Sequence, residues 1–329
     1  MIIVTGGTGF IGSNLVAGLE KHGCKDIVIC DTLGTEDKWR NIAKREIRDI
    51  VNPERLFDYL ETHKDTVEMV YHMGAISSTT ETDVDLIVET NVVLSRRLWK
   101  WCGNNNVRLI YASSAATYGD GEQGFVDAQE TGDLAKLRPL NAYGWSKHVF
   151  DRRVARVLEN GNEPVPPQWA GLKFFNVYGP NEYHKGDQMS VVCKLYPQVQ
   201  AGAAAKLFKS HHKDYEDGGQ LRDFVYVKDC VSVMLWLYDN KDISGLFNVG
   251  TGNARSFKDL AEATFDAAHK PSKINYIDMP EQLQAKYQYF TEADMSKLRA
   301  AGYGKAFTEL EDGVRDYVQN YMAKEDMYR

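Results

Sequence analysis

The sequence has no apolar run approaching the roughly 18 residues that a membrane-spanning helix needs. The opening stretch "MIIVTGG" also lacks the basic region and long apolar segment of a signal peptide. Cysteine is scarce, with five in the chain and no CxxC pair, which argues against a disulfide framework or a zinc site. We therefore expect a cytoplasmic protein with free thiols, no resident metal and no membrane partner.

Positive charge is not in excess either. Lys and Arg number 39 against 46 Asp and Glu, giving a formal net charge of −7, which argues against nucleic acid as a partner. The 329 residues are 43% hydrophobic and 26% charged, which is an ordinary globular composition. A chain of this length has material for one large domain or two smaller ones.

Short apolar segments alternate with helical patterns through the first half of the chain. "IIVT", "DIVIC", "MVYHM", "VRLIYAS" and "GLKFFNVYG" predict strands, and residues 11–22 and 84–104 predict amphipathic helices. This alternation predicts an α/β fold, in which helices cover both faces of a parallel sheet. The polar segment 203–222 predicts a long loop or lid. We assign residues 1–175 and 222–243 to a large domain, and residues 176–221 and 244–329 to a smaller one.

A glycine-rich turn follows the first predicted strand and opens the first predicted helix. "TGGTGFIG" places Gly6, Gly9 and Gly12 in the spacing GxxGxxG. Such a turn needs residues without a Cβ, and the helix N-terminus offers free N–H groups and a positive dipole to a pyrophosphate. The strand and helix on either side are the context that this motif requires. The turn therefore predicts a dinucleotide site in the large domain.

The end of the second predicted strand bears on which dinucleotide is bound. Asp31 stands where an acid usually binds the adenosine ribose of NAD. Four cations follow it, and a 2′-phosphate would need such cations, although a solvated basic helix face is an equal alternative. These cations are Lys38, Arg40, Lys44 and Arg45. NADP and NAD both remain open at this point.

A serine, a tyrosine and a lysine follow the fifth apolar segment. Ser114 lies at a predicted strand end, and Tyr143 and Lys147 are four residues apart, on one face of a helix. Oxidation of an alcohol requires a group that takes the hydroxyl proton as hydride leaves carbon. Only about one tyrosine in a thousand is ionised at neutral pH, and a nearby ammonium favours the phenolate. The serine hydroxyl can hold the substrate oxygen, so the three residues predict redox chemistry.

These motifs resemble the extended short-chain dehydrogenase/reductase family, whose members act on nucleotide sugars, and the resemblance runs nearly end to end. It implies a Rossmann-type doubly wound parallel sheet with a smaller C-terminal substrate domain. Ser114, Tyr143 and Lys147 match the catalytic serine, tyrosine and lysine of the family. The cofactor contacts that it implies are Gly6, Gly9, Phe10, Ile11, Gly12, Asp31, Thr32, Lys38, Met73, Gly74, Ala75, Ile76, Ser77, Asn91, Lys147, Val177 and Lys185.

The residues after Ser114 bear on the reaction type. Sugar-nucleotide 4,6-dehydratases of the family have an Asp-Glu pair there, whereas this chain has Ala115 and Ala116, which cannot act as acid or base. "NVYGPNEYHKG" supplies His184 and Lys185, and Lys185 is the second candidate proton-handling group. An epimerase must handle protons in two substrate poses, which one residue does not always reach. The alternatives for Lys185 are an exposed loop lysine or a phosphate contact.

Five segments resemble the branch of the family that epimerises an ADP-heptose at C6″: "SSAATYG", "FFNVYGPNEYHKG", "LRDFVYVKD", "FNVGTGNARSF" and "KYQYFTEADMSKLRAAGY". The resemblance implies oxidation to a 6″-ketone and return of hydride to the opposite face. It also implies a tightly bound NADP, with NAD possible, Tyr143 and Lys185 as the acid/base pair, and a homo-oligomer, a pentamer by resemblance. Substrate contacts so implied are Ser114, Asn176, Asp187, Lys194, Phe208, Arg222 and Tyr287. A UDP-hexose 4-epimerase, another nucleotide-sugar oxidoreductase and an inactive cofactor-binding regulator are the alternatives.

Arg222 and the pair His211 and His212 have interpretations that follow from the residues alone. The guanidinium of Arg222 suits a diphosphate, and its alternative is a salt bridge with Asp223 or Asp229. His211 and His212 have no carboxylate or cysteine at metal-ligand spacing, so we expect a solvated loop there.

Overall fold

A computed structural model describes residues 1–284 and 288–329, and the elements named here belong to that part of the chain. The strands are Ile2–Thr5 (β1), Ile27–Cys30 (β2), Asp49–Val51 (β3), Met69–His72 (β4), Arg108–Ser114 (β5), Trp169–Phe174 (β6), Asn176–Tyr178 (β7), Ala205–Phe208 (β8), Leu221–Arg222 (β9), Phe224–Tyr226 (β10), Gly245–Val249 (β11), Arg255–Ser256 (β12) and Ile274–Ile277 (β13).

The α-helices are Phe10–Lys21 (α1), Leu56–Thr62 (α2), Val84–Ile87 (α3), Leu94–Asn104 (α4), Thr131–Leu134 (α5), Ala142–Asn160 (α6), Val191–Gln200 (α7), Val227–Asp239 (α8), Phe257–Ala267 (α9), Glu281–Gln284 (α10), Ser296–Ala300 (α11) and Leu310–Tyr317 (α12). The remaining helical segments are the 3₁₀ turns Asp37–Ile42, Pro53–Arg55, Ala115–Tyr118 and Tyr183–Gln188, and the π-helical segments Val88–Val93 and Val318–Met322. One π segment joins α3 to α4, so the predicted helix 84–104 is a single helical run with a wider turn inside it.

The central sheet has seven parallel strands in the order β11-β6-β5-β4-β1-β2-β3. The chain begins in the middle, with Ile2 opposite Ile27 of β2 and Met69 of β4. The strand order therefore reverses beside β1, and such a switch point opens a crevice at the carboxyl ends of the strands. This arrangement confirms the predicted Rossmann-type doubly wound sheet.

Both faces of the sheet are buried. Ile2 and Val4 of β1 belong to one apolar cluster, which includes Leu15 of α1. Ile3 points to the other face and belongs to a second cluster, which includes Trp99 of α4. Alternate residues of a strand face opposite sides, so β1 needs apolar residues throughout, and its uninterrupted "IIVT" follows from this double burial.

Two predicted boundaries differ from the structure. The segment "GLKFFNVYG" is two strands, because β6 ends at Phe174 and β7 pairs with β10 instead of the central sheet. The strand β11 pairs with β6 in the central sheet, although residues 244–329 were assigned to the smaller domain. Its backbone bonds come from a strand that is distant in sequence, and a local pattern does not reveal such a partner.

The segment 203–222 is less irregular than predicted, since β8 pairs with β13 and β9 pairs with β12 at its two ends. Residues between them form turns. Within the described ranges, none of the helices combines the length and the apolar character needed to span a bilayer.

Candidate active site

A cavity of about 610 Å³ lies at the carboxyl ends of β1, β4 and β5. It brings together residues from the glycine turn, the loop after β4, the end of β5, helix α6 and the 3₁₀ turn Tyr183–Gln188. The predicted site residues that line it are Gly6, Gly9, Phe10, Ile11, Gly12, Asp31, Lys38, Met73, Gly74, Ala75, Ser77, Ser114, Tyr143, Lys147, Val177, Lys185 and Asp187.

The glycine turn fits a dinucleotide pyrophosphate. A Cβ on Gly12 would lie 2.1 Å from the carbonyl oxygen of Gly6, and one on Gly6 would lie 2.5 Å from Cα of Gly74. Gly6 also has φ +64°, in the left-handed region that favours glycine. Helix α1 begins after Gly9, no side chain caps it, and its first turn has no acidic residue. Its N–H groups and dipole are therefore available to an anion in the cavity.

Asp31, in the cavity lining, is held by neighbours on two sides. One carboxylate oxygen accepts from the N–H and hydroxyl of Thr8, at 2.9 and 2.5 Å. The other accepts from the ammonium of Lys38 at 2.8 Å. The same ammonium donates to the carbonyl of Thr32, which does not line the cavity. This ion pair places a cation, whose charge is balanced by the carboxylate, beside the predicted ribose site.

The other three cations in this region have different partners. Arg40 stacks on the ring of Tyr328, with Cζ 4.6 Å from its centre. Lys44 pairs with Asp326 at 2.8 Å, and Arg45 pairs with Glu20 at 2.6 Å. Of these four cations, Lys38 alone lines the cavity.

Asn91 holds the loop after β4 from behind instead of lining the cavity. It is fully buried in the π segment, where its Oδ1 accepts from the N–H of Ile76 at 2.9 Å. Its Nδ2 donates to the carbonyl of Ile76 at 3.0 Å and to Oγ of Ser146 at 2.9 Å. Asn91 and Ile76, both predicted as cofactor contacts, thus shape the wall formed by residues 73–77.

Helix α6 aims Tyr143 and Lys147 into the cavity. Asn141 caps its first turn by accepting from the N–H of Gly144 at 2.8 Å. Ser114 ends β5. Burial raises the pKa of the Tyr143 phenol, and a hydrogen bond with the Ser114 hydroxyl partly opposes this shift. Burial lowers the pKa of Lys147 to about 8. The ammonium is expected to favour the phenolate, whereas the desolvation of Tyr143 has the largest effect on its pKa and raises it.

Lys185 lines the same cavity from a different segment. It lies in the turn Tyr183–Gln188, where Gly186 has φ +54°, and its ammonium is 5.2 Å from the ring centre of Phe10. Burial lowers the pKa of Lys185, and the carboxyl group of Glu182 partly opposes this shift. Glu182 is itself fully buried and accepts from the N–H and hydroxyl of Ser190, which braces the turn.

Four predicted substrate contacts lie outside the cavity lining: Asn176, Lys194, Phe208 and Arg222. Lys194 donates to the carbonyl of Asp187 at 2.5 Å. Arg222 donates to the carbonyls of Leu221 and Gln288 and contacts the ring of Phe257. Tyr287 lies outside the described residues.

Asp223 and Asp229, the alternative salt-bridge partners predicted for Arg222, accept hydrogen bonds from several other groups. Asp223 accepts from the N–H groups of Thr251, Gly252 and Ala293. Asp229 accepts from the N–H and hydroxyl of Thr308. Both carboxylates therefore accept hydrogen bonds from backbone N–H groups.

The structure adds cavity residues that no motif had assigned. They are Thr79, Thr80, Ala112, Ser113, Phe174, Phe175 and Gln188, and His184, which "NVYGPNEYHKG" supplies beside Lys185, lines the cavity as well. Nδ1 of His184 lies 3.1 Å from Nδ2 of Asn41, and burial beside Lys38 and Lys185 lowers its pKa to about 4. In the described ranges no group of three or more His, Cys, Asp or Glu side chains is arranged to hold a metal ion.

Comparison with known proteins identifies similar sequences and structures. Residues 2–250 match the model of the NAD dependent epimerase/dehydratase family. The chain belongs to this family. An ADP-L-glycero-D-manno-heptose-6-epimerase of Nitratidesulfovibrio vulgaris (strain DP4) is 52% identical over 331 residues, covering 100% of each chain.

Solved structures of the family show the same fold. The Helicobacter pylori ADP-L-glycero-D-manno-heptose-6-epimerase superposes with a TM-score of 0.78 at 27% identity, covering 98% of this chain and 96% of that one. A UDP-N-acetylglucosamine 4-epimerase from Methanobrevibacter ruminantium M1 gives a TM-score of 0.80 at 24% identity, covering 97% and 96%. Epimerases named for different sugars therefore share this architecture, and the fold alone does not identify the sugar.

Proposed function

We propose that the chain is an NADP-dependent epimerase that converts ADP-D-glycero-D-manno-heptose into ADP-L-glycero-D-manno-heptose by inverting C6″. The observation on which this depends is that Tyr143 and Lys185, from separate segments, line one cavity with the glycine turn. The full-length identity of 52% to an enzyme named for this reaction supports the choice of sugar over a UDP-hexose. The product would be a precursor of the lipopolysaccharide core.

The opposite pKa shifts of the two residues suit this reaction. A lowered pKa favours the neutral amine of Lys185, which accepts a proton, and a raised pKa favours the protonated phenol of Tyr143, which donates one. Epimerisation needs both, because the C6″ hydroxyl loses its proton on oxidation and the ketone oxygen gains one on reduction. Ser114 would hold the substrate oxygen, and Lys147 would bind the cofactor ribose beside it. When bound, the nicotinamide supplies the acceptor that takes hydride and returns it.

The residues at the adenosine end favour NADP over NAD. A free Asp31 carboxylate would repel a 2′-phosphate, whereas its ion pair with Lys38 neutralises that charge and presents a donor. Denaturing the purified protein and identifying the released dinucleotide by mass tests this choice. Recovery of NAD alone from wild-type protein would contradict it.

Product analysis tests the reaction itself. Purified protein given ADP-D-glycero-D-manno-heptose without added cofactor should form the L-glycero epimer. Net consumption of NADPH would indicate a reductase instead, and conversion of UDP-glucose but not of the heptose would select a 4-epimerase. No turnover on either, despite bound dinucleotide, would select a regulatory role.

The Tyr143→Phe variant gives the matched control for that assay. It removes one hydroxyl from a buried position, so we expect a loss of at least about 100-fold in kcat with bound cofactor and fold retained, since a general acid/base contributes about 10²–10⁴-fold. Bound dinucleotide and thermal unfolding should match the wild type. Turnover within a few-fold of wild type would remove Tyr143 from the mechanism.

Two further properties are proposed by resemblance. We expect a cytoplasmic homo-oligomer, with five copies as the specific expectation. Light scattering on the purified, cofactor-loaded protein measures the subunit number directly, and a monomer would contradict the proposal.

A further inference from the structure

His72 is a buried titratable residue that the proposed mechanism does not use. It ends β4, directly before the loop 73–77 that forms one cavity wall, and its exposed fraction is 1%. Its two ring nitrogens have different partners: Nδ1 lies 2.7 Å from the hydroxyl of Thr5, and Nε2 lies 2.9 Å from the hydroxyl of Ser95. Burial, with a contribution from the charge of Lys147, lowers its pKa to about 3, so the ring is neutral at pH 7.

These contacts belong to a hydrogen-bond chain that extends on both sides of the ring. On one side, the N–H of Gly74 donates to the hydroxyl of Thr5 at 3.2 Å. On the other, the hydroxyl of Ser95 donates to the carbonyl of Asn91 at 2.5 Å. Asn91 then donates to Ser146, whose hydroxyl donates to the carbonyl of Tyr143 at 2.7 Å. The chain thus joins a cavity-wall loop to the first turn of the helix that holds Tyr143.

The donors and acceptors permit one direction along this chain. A carbonyl oxygen only accepts hydrogen bonds, so the Ser95 hydroxyl donates its single hydrogen to the Asn91 carbonyl. The Ser95 oxygen must then accept a hydrogen bond from Nε2–H of His72. In a neutral ring with Nε2–H, Nδ1 is an acceptor, and it accepts a hydrogen bond from the hydroxyl of Thr5. The hydroxyl of Thr5 is then free to accept from Gly74. Every hydroxyl donates once and accepts once.

We propose that His72, as the neutral Nε2–H tautomer, is a positioning residue that aligns the cofactor-binding loop with the catalytic helix. Hydride transfer needs the nicotinamide and the sugar carbon at a fixed separation, and residues of the loop and of the helix both line the cavity. A misplacement of about 1 Å costs about 100-fold in rate, so a rigid link between the walls affects turnover without touching substrate. The kinetic consequence rests on the proposed epimerisation, whereas the tautomer does not.

The tautomer is measured by NMR on holoenzyme labelled with ¹⁵N-histidine at pH 7. The His72 signals are assigned by their loss in His72→Gln or His72→Asn, whichever folds. We expect a protonated Nε2 and an unprotonated Nδ1. A protonated Nδ1, alone or together with Nε2, would overturn the proposal whether or not the chain is an epimerase.

Kinetics measure the positioning role. His72→Asn keeps an acceptor near Thr5 but loses the donor to Ser95, and Ser95→Ala breaks the chain at the same point. Both should lower kcat by about 10- to 100-fold, with the KM for the nucleotide sugar changed by less than about two-fold. Tyr71→Phe is the control. This buried neighbour of His72 on β4 loses one hydrogen bond, to the carbonyl of Met234, which does not belong to the hydrogen-bond chain.

A double variant separates positioning from general destabilisation. Because the hydrogen-bond chain acts as a unit, adding Ser146→Ala to His72→Asn should lower kcat no further than the more damaging of the two single substitutions. Independent losses, or unchanged kcat in folded His72→Asn and Ser95→Ala proteins, would refute the positioning role. Failure of the wild type to epimerise ADP-heptose would refute the proposed function instead, and the NMR result would still decide the tautomer.

Discussion

At the residue scale, burial shifts the pKa values of the lysines and of the tyrosine in the cavity in opposite directions. Burial lowers the pKa values of Lys147 and Lys185 and raises the pKa of Tyr143. Desolvation disfavours charge, so a closed cavity does this to any acid or base that it encloses. In the proposed mechanism a neutral amine accepts a proton and a neutral phenol donates one, and these directions of shift favour both roles.

Changing Lys185 tests its proton-transfer role. Lys185→Met keeps much of the apolar side chain and removes the amine, so epimerisation should fall by at least about 100-fold. Bound dinucleotide, thermal unfolding and product formation from the heptose substrate should be measured together. Lys206→Met, which alters an exposed lysine on β8, should leave turnover unchanged. Near-normal turnover of the Lys185 variant would remove its catalytic role.

Lys147 gives a prediction of opposite sign for stability and activity. Its pKa falls from 10.5 to about 8 on burial, which corresponds to a cost of about 3 kcal/mol for the charged form. Below pH 8 the folded and unfolded states are both protonated, so the full cost is present. Between pH 8 and 10.5 the unfolded state binds more protons, and the cost is relieved as pH rises.

The Lys147→Met variant should therefore be more stable than wild type at pH 7, by up to about 3 kcal/mol, and this advantage should shrink toward pH 10.5. Its turnover should be lost, because the ammonium at the cofactor site is gone. Urea unfolding of the cofactor-free proteins at pH 7 and pH 10 measures the difference. A stability advantage that grows with pH would contradict this account.

At the scale of elements, the glycine turn brings strand β1, helix α1 and the loop after β4 into contact. The spacing of Gly6, Gly9 and Gly12 predicted the turn, but the close approach of Gly6 to Gly74 joins two segments that are distant in sequence. The serine-tyrosine-lysine set shows the same division. Four-residue spacing predicts that Tyr143 and Lys147 share a helix face, whereas the β5–α6 packing places Ser114 beside them.

Adding one methyl group to this turn tests its packing. In Gly12→Ala the new Cβ would meet the carbonyl oxygen of Gly6 at 2.1 Å, so the turn or helix α1 must shift. We expect a stability loss of about 2 kcal/mol and loss of bound dinucleotide. Calorimetry and cofactor content are the measurements.

The matched control is Gly132→Ala in helix α5, where the added Cβ meets no atom within 4 Å. That change should leave bound dinucleotide unaffected, with stability within about 0.5–1 kcal/mol of wild type. Full cofactor retention and wild-type stability in Gly12→Ala would show that the close approach is relieved at no cost.

At the scale of the whole molecule, a fully buried ion pair ties helix α6 to the sheet beneath the cavity. Lys173 of β6 lies 3.1 Å from the carboxylate of Asp151, and both side chains are 0% exposed. Asp151 also accepts from Ser113 at 2.7 Å, and Lys173 donates to Thr117 at 2.6 Å. Burial lowers the pKa of Lys173, and Asp151 opposes this shift.

Breaking the pair should destabilise the molecule as a whole. Asp151→Asn leaves a buried ammonium without its counter-charge, at a cost of about 3–5 kcal/mol. Combining Asp151→Leu with Lys173→Met removes both charges and should cost much less. The exposed pair of Arg48 and Asp26 is the control, since Asp26→Asn should cost no more than about 1 kcal/mol. Equal losses for the single and double changes, measured by urea unfolding, would contradict this view.

The sequence by itself determined the elements whose signal is local. Apolar segments predicted β1, β2, β4 and β5, and glycine spacing predicted the cofactor turn. The short edge strand β3 was missed, because two of its three residues are exposed and its pattern is not apolar. Local signals suffice where both faces of a strand are buried or where a tight turn excludes side chains.

Only the tertiary structure decided which distant residues meet. It placed β11 in the central sheet, brought Lys185 to the cavity of Tyr143, and joined His72 to both cavity walls. These relations depend on strand order and on the directions of buried hydrogen bonds, which form between segments up to tens of residues apart. A periodic pattern records which face of an element is buried, but not which partner covers it.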